Sequence, residues 1–166
     1  MHSAKDLNFW FALIMILVAV SLSVAVYFDW LGVSFFVGPL RLGHWLGVLG
    51  TLFIAIFTPT YYVLKRRYPR RLKAMLNVHI FGTLFSFILI SIHFAQQMGR
   101  PPDFFPNLGT GLALFIAVCT LATTGILRRF QLGKQYMGYY RTLHTGATMT
   151  FYIIVIIHLL HGLGVI

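Results

Sequence analysis

Five long hydrophobic stretches dominate this sequence of 166 residues and limit what the chain can fold into. They extend over residues 8–28, 42–64, 74–98, 108–127 and from about 142 to the C-terminus. A helix of about 20 apolar residues crosses the hydrocarbon core of a bilayer, which is roughly 30 Å thick. The first stretch is longer than the apolar core of a signal peptide, so we treat it as a helix rather than a leader. We therefore expect an all-α integral membrane bundle of five transmembrane helices.

The composition agrees with this expectation. The chain is 58% hydrophobic and 10% charged, whereas soluble domains contain about 25% charged residues. The connections between the stretches are too short for a soluble domain, so we expect one domain over residues 1–166. The only cysteine, Cys119, excludes an internal disulfide, and the lack of a C-x-x-C-H motif excludes covalently attached haem.

Basic residues are unevenly distributed between alternate connections. The formal net charge is +10, but the cations form short clusters between apolar runs, which indicates membrane topology rather than nucleic-acid binding. The N-terminus and the connections at 65–73 and 128–141 together hold 11 Lys and Arg; the opposite side holds only Arg41 and Arg100. By the positive-inside rule, the N-terminus is cytoplasmic and the C-terminus lies outside a prokaryotic plasma membrane.

Two pairs of histidines share one spacing. The interval from His79 to His93 on the third helix equals the interval from His144 to His158 on the fifth. Each interval is close to four helical turns, so each pair occupies one face, with about 21 Å between its members along the axis. The third and fifth helices run parallel, which brings His79 and His144 to the cytoplasmic end and the other two to the outer end. If the two faces confront each other, the bundle holds two stacked haems, each with one axial imidazole from each helix.

Other uses of membrane histidine fit less well. A single intramembrane histidine often serves as a hydrogen-bond partner between helices, but two matched pairs are harder to explain in this way. A divalent-metal transporter normally places carboxylates in the membrane, and all three aspartates here lie at span ends or in connections. A porphyrin dianion already balances the charge of Fe²⁺, so neutral imidazoles suffice for haem.

Several further residues lie near the predicted ligands. His44, beside Trp45, is interpreted as an interfacial residue, whereas His161 follows His158 by one turn and is an alternative outer ligand. Arg141 on the inside and Arg100 on the outside are candidate partners of haem propionates. Small residues, which fit either a closely approaching ring or ordinary helix packing, are Gly43, Gly47, Gly50, Gly82 and Gly146.

The segment from Gly138 to His144, followed by His158, resembles the ferric-reductase-like transmembrane domain, a family that includes NADPH oxidases and haem-binding methionine sulfoxide reductase subunits. The shared pattern is a glycine, an aromatic residue, Arg-x-Leu-His and a second histidine about four helical turns later. The segment from Arg141 to Ala147 also resembles the cytochrome b of quinol–cytochrome c oxidoreductases. These resemblances cover the third to fifth spans and imply two b-type haems that relay electrons across the membrane.

This chain departs from the ferric-reductase pattern at two points. Tyr140 stands where that family often has tryptophan, and the usual sixth helix and flavin domain do not follow the fifth span. NADPH oxidation is therefore not expected of this chain.

These observations together predict a membrane-embedded b-type cytochrome that moves electrons between two bis-histidine haems. We expect it to be the membrane subunit of a larger oxidoreductase, with other redox subunits and the lipid bilayer as partners, since no substrate or nucleotide site is visible. One alternative is a self-sufficient reductase or oxidase that reacts with quinone at His44, Gln96, Gln97 and the segment around Trp30. A metal or ion transporter and a structural membrane subunit are the remaining alternatives.

Overall fold

The structure is a computed structural model that describes residues 4–101, 103 and 109–162. Its long helices are α1 (Ala4–Tyr27), α2 (Leu42–Arg67), α3 (Leu72–Met98), α4 (Gly109–Arg129) and α5 (Met137–Gly162). Within the described residues, all five are long and apolar enough to cross a membrane, which confirms the predicted all-α class and the expected five helices of membrane-spanning length. The C-terminal residues 163–166, predicted to lie outside the membrane, and the predicted start of the fourth span at Leu108 fall outside the described residues.

Large apolar side chains point away from the protein along these helices. Trp10, Leu17 and Ile153 are each more than half exposed, at 56%, 57% and 62% of their surface. Soluble monomers rarely expose apolar surface of this extent, whereas lipid solvates it. The exposed helix faces are therefore those expected of a membrane protein.

The chain forms two compact units. The first, Met1–Pro106, contains α1 to α3, and the second, Asn107–Ile166, contains α4 and α5. In the first unit α3 packs against both other helices. It is parallel to α1, as shown by Phe11 and Phe81, whose ring centroids lie 5.0 Å apart, and by the approach of Gly99 to Tyr27.

The packing of α2 on α3 is antiparallel and depends on glycine. A Cβ atom at Gly47 would lie 2.7 Å from Cγ of His93, and one at Gly50 would lie 2.8 Å from Cγ1 of Ile90. Gly43 faces Gln96 in the same way. Because real Cβ atoms do not approach so closely, these three glycines allow the two helices to come together.

The second unit is an antiparallel hairpin of α4 and α5. Its buried side chains are Leu114, Ala117, Val118, Leu121, Ala122, Thr124, Phe151 and Val155. A 3₁₀ turn at Lys134–Tyr136, after Gly133 with φ of 64°, leads into α5, which begins at Met137 rather than near Thr142 as the sequence predicts.

A short β-hairpin between α1 and α2 was not predicted. Strands Phe36–Val37 (β1) and Leu40–Arg41 (β2) pair antiparallel around Gly38-Pro39. Gly38 has φ of +62°, and proline fixes a negative φ next to it, which is the order that a type II′ turn requires. The Trp45 indole donates a hydrogen bond to the Val37 carbonyl at 2.8 Å and so fastens the hairpin to α2.

Candidate functional site

Both histidines of α3 lie against α2. The ring of His79 stacks on Tyr61, with 4.7 Å between centroids and 14° between planes. The ring of His93 fills the space above Gly47, where a Cβ atom would overlap it. The number of residues from Gly47 to Tyr61 equals that from His79 to His93. The two contacts, His79 with Tyr61 and His93 with Gly47, are therefore consistent with a single antiparallel register of α2 on α3. Both rings therefore occupy the same face of α3, as their spacing predicts.

Both histidines of α5 lie against α4 in the same manner. The Nδ1 atom of His144 is 2.9 Å from Oγ1 of Thr124, and Nδ1 of His158 is 3.0 Å from Oγ1 of Thr110. The glycine after each threonine leaves room for the ring: a Cβ atom at Gly125 would lie 3.6 Å from Cε1 of His144, and one at Gly111 would lie 3.4 Å from Cε1 of His158.

Sequence reasoning did not identify these partners. On α4 the dipeptide Thr-Gly occurs at 110–111 and again at 124–125, which is the same interval as that between the histidines of each pair. Gly47 and Tyr61 repeat this interval on α2. The sequence signal for these partners is thus a pair of residues on the preceding helix, α2 or α4, whose spacing equals that of the two histidines.

The chemistry of these side chains fits haem ligation. A haem iron takes a neutral imidazole through one nitrogen, and the other nitrogen normally donates its hydrogen to a protein oxygen. His144 and His158 have Nδ1 on a threonine hydroxyl, which leaves Nε2 as the nitrogen for a metal. Glycines beside three of the four rings supply space that larger residues would fill. The residues present fit two axial imidazoles from each unit.

A multi-ligand metal ion is a different arrangement. Within residues 4–101, 103 and 109–162, no three His, Cys, Asp or Glu side chains converge as they do around such an ion. Axial ligation of haem needs only two side chains for each iron.

The remaining histidines occupy different settings. His44, in the first turn of α2, has its ring centroid 5.4 Å from that of His93 and is partly buried. Its Nδ1 atom is buried without a hydrogen-bond partner among the described residues. His161, in the last turn of α5, is exposed.

A polar cluster adjoins His44 at the end of the first unit where α2 begins and α3 ends. Gln96 is only 4% exposed, and its amide donates a hydrogen bond to the Val33 carbonyl at 3.0 Å. Burial, and then the nearby charge of Arg41, lower the pKa of Arg100 from its ordinary value. Four buried atoms here lack a hydrogen-bond partner among the described residues: Nδ1 of His44, Oε1 of Gln96, Nε2 of Gln97 and Nε of Arg100.

Two of the predicted small residues have other surroundings. A Cβ atom at Gly82 would make an ordinary contact of 3.5 Å with the Phe57 ring, and one at Gly146 would meet nothing within 4 Å. Gly82 thus faces Phe57 of α2 without the close approach seen at Gly43, Gly47 and Gly50.

Comparison of the chain with known protein families, curated proteins and solved structures finds no match.

Proposed function

We propose that this chain is a transmembrane dihaem b-type cytochrome that relays electrons across a membrane as a subunit of a larger oxidoreductase. The observation that carries the proposal is the shared register of the two helix pairs. In each, two histidines about four turns apart meet two positions at the same interval on the antiparallel neighbour. Two equal intervals in two separate units are not expected of histidines that serve only as isolated hydrogen-bond partners.

The assignment of ligands to the two haems is the one that the sequence predicts. His79 and His144 would hold the cytoplasmic haem, and His93 and His158 the outer one. A bound b-type haem supplies a reversible one-electron couple at its iron. The chain's own residues hold the imidazoles at two depths, about 21 Å apart along each helix. The threonine hydroxyls of α4 lie within hydrogen-bond distance of Nδ1 of the two α5 histidines.

The first prediction concerns cofactor content. The full chain, purified from haem-sufficient cells, is expected to show the absorbance of low-spin b-type haem at two haems per chain. His79→Ala and His144→Ala should each remove one haem, and His93→Ala and His158→Ala the other, so every single variant should retain about half of the pigment.

His161→Ala is the matched control, because this ring is exposed one turn beyond His158 and should leave both haems in place. A folded, colourless wild-type chain would contradict the proposal. Loss of a haem in His161→Ala with none in His158→Ala would transfer the outer ligand to His161.

A second candidate function is a self-sufficient enzyme that oxidises or reduces quinone. The polar cluster described above favours it, because quinone carbonyls accept hydrogen bonds of the kind that His44 and Gln97 have available. A quinol-oxidation assay of the purified chain with a soluble electron acceptor tests this function. Activity that is lost in His44→Leu and Gln97→Leu, but kept in Gln135→Leu at an exposed position, would support it over the subunit role.

A further inference from the structure

The hydroxyl hydrogen of Thr124, which lies opposite His144, is donated to another acceptor. Oγ1 of Thr124 lies 2.6 Å from the Thr120 carbonyl oxygen, which can only accept a hydrogen bond. The single hydroxyl hydrogen therefore points to that carbonyl. Toward His144, at 2.9 Å, the oxygen has only lone pairs to offer. The ring must be the donor, so Nδ1 carries the hydrogen and Nε2 is left with its lone pair.

The threonine opposite His158 is differently placed. Thr110 is the second residue of α4. Among the described residues its hydroxyl has His158 as its hydrogen-bond partner and no carbonyl acceptor. This hydroxyl can rotate, either to donate to Nδ1 or to accept from it. Both tautomers of His158 are therefore compatible with the same heavy-atom positions.

From this difference we propose that Thr124 is a positioning residue that holds His144 in the Nδ1–H tautomer before any metal arrives, whereas Thr110 leaves the tautomer of His158 to be selected by the metal. The inference rests on the proposed haem function, which assigns Nε2 of both rings to iron.

The physical consequence is that the two haem sites are unequal. A hydroxyl that donates to a carbonyl becomes a better acceptor, because hydrogen bonds in a chain polarise one another. The Nδ1–H of His144 is then more strongly polarised, which makes Nε2 a more basic ligand and favours ferric iron. Removal of this hydrogen bond should therefore raise the reduction potential of the His144 haem.

The test is a redox titration of the haem-loaded full chain that resolves both haems. Thr124→Val, which keeps the shape and removes the hydroxyl, should shift the potential of one haem upward and leave the other unchanged. Thr124→Ser should restore it, because serine retains the hydroxyl. Thr123→Val, at the adjacent exposed position of α4, is the control and should shift neither haem. Unchanged potentials in Thr124→Val would overturn the proposal.

A second measurement does not depend on haem. Nitrogen NMR of ¹⁵N-histidine-labelled full chain from haem-depleted cells should show His144 with a protonated Nδ1 and His158 with a mixture of tautomers. Thr124→Val should convert the His144 signals to a mixture, and Thr110→Val should leave them unchanged. A mixed His144 in the wild-type chain would overturn the positioning role. A wild-type chain that is colourless when purified from haem-sufficient cells, yet shows the single His144 tautomer when haem-depleted, would instead overturn the haem function and retain the role of Thr124.

Discussion

At the scale of single residues, a histidine ring in an apolar bundle must find protein partners for the hydrogen bonds that water would otherwise supply. Threonine hydroxyls serve His144 and His158 in this way. His93 instead lies against α2, in space that exists because residue 47 has no side chain. The placement of the His93 ring is therefore set by what is absent from α2 as well as by what α3 carries.

The space above Gly47 leads to the prediction at this scale. Gly47→Ala would place Cβ 2.7 Å from Cγ of His93, so the ring or the helix must move. Overpacking of this kind costs about 1–3 kcal/mol. We expect a lower midpoint in denaturant unfolding of the purified chain and weaker retention of the haem that we propose His93 binds.

Gly82→Ala is the matched control for this variant, because its Cβ would make an ordinary contact of 3.5 Å with Phe57 on the same two helices. Equal unfolding midpoints for Gly47→Ala and Gly82→Ala would show that the space above Gly47 does not constrain His93.

The histidine intervals were accessible from the sequence because a fixed number of residues converts directly into helical turns. The partners were not, because pairing Thr124 with His144 requires knowledge of which helices are neighbours and in which register. An interval within one helix carries no such information. Only the equality of the Thr-Gly interval with the histidine interval hints at the register, and it gains meaning once the antiparallel hairpin is known.

At the scale of elements, composition alone does not predict where a helix ends. The sequence predicts that α2 ends at Leu64, where the charges begin, but the helix continues to Arg67. Lys65 and Arg66 lie over the ring of Tyr62, at 4.9 and 4.3 Å from its centroid, and cations also favour a helix C-terminus. Charge ends the apolar stretch, whereas the helix itself ends before Tyr68, the residue preceding Pro69, where φ of −130° and ψ of 65° leave the helical region.

The ends of α1 and α4 lack the usual sequence signal for a helix C-terminus. After α1, the amides of Asp29 and Trp30 bond to the carbonyls of Val26 and Ala25, with Asp29 at φ of 56°. After α4, Gln131 has φ of 55° and the Leu132 amide bonds to the Leu127 carbonyl. Both are Schellman-type ends, but with Asp and Gln where glycine is the usual signal.

The element-scale prediction concerns the β-hairpin that precedes α2. Gly38→Ala should strain the turn by about 1–3 kcal/mol, because a φ of +62° is unfavourable for a residue with a Cβ atom. Hydrogen exchange of residues 35–42, measured by mass spectrometry, should accelerate, and the emission of Trp45 should change as its bond to Val37 weakens.

Gly32→Ala provides the comparison, since an added Cβ there also meets nothing within 4 Å and its φ is not positive. If both variants exchange at the wild-type rate, the turn does not depend on a left-handed glycine.

At the scale of the whole molecule, the distribution of charge is the source of the proposed orientation. Lys and Arg concentrate in the connection between α2 and α3 and in that between α4 and α5, which lie on one side of the membrane if each helix crosses it once. These basic connections would attract anionic lipid headgroups or an acidic partner subunit.

The prediction at this scale is that the basic connections face the cytoplasm. In a Cys119→Ala background, a single cysteine at Gln135 should react with a membrane-impermeant thiol reagent only after the cytoplasmic side is exposed. A cysteine at Ser34, between α1 and α2, should react from the outside. Both positions are exposed in the structure, so access depends on the side of the membrane. The reverse labelling pattern would invert the proposed topology.

Because paired residues on neighbouring helices have equal spacings, only some insertions and deletions leave their contacts intact. One residue inserted between Thr110 and Thr124 would rotate everything beyond it by about 100° and advance it by about 1.5 Å. Only one of the two histidines of α5 could then keep its hydroxyl partner, whatever residue was inserted. Substitutions among the intervening residues alter neither interval. Insertions and deletions are therefore expected only in the connections. The distance between the two histidines of one helix can change only if that helix and its antiparallel neighbour gain or lose the same number of whole turns.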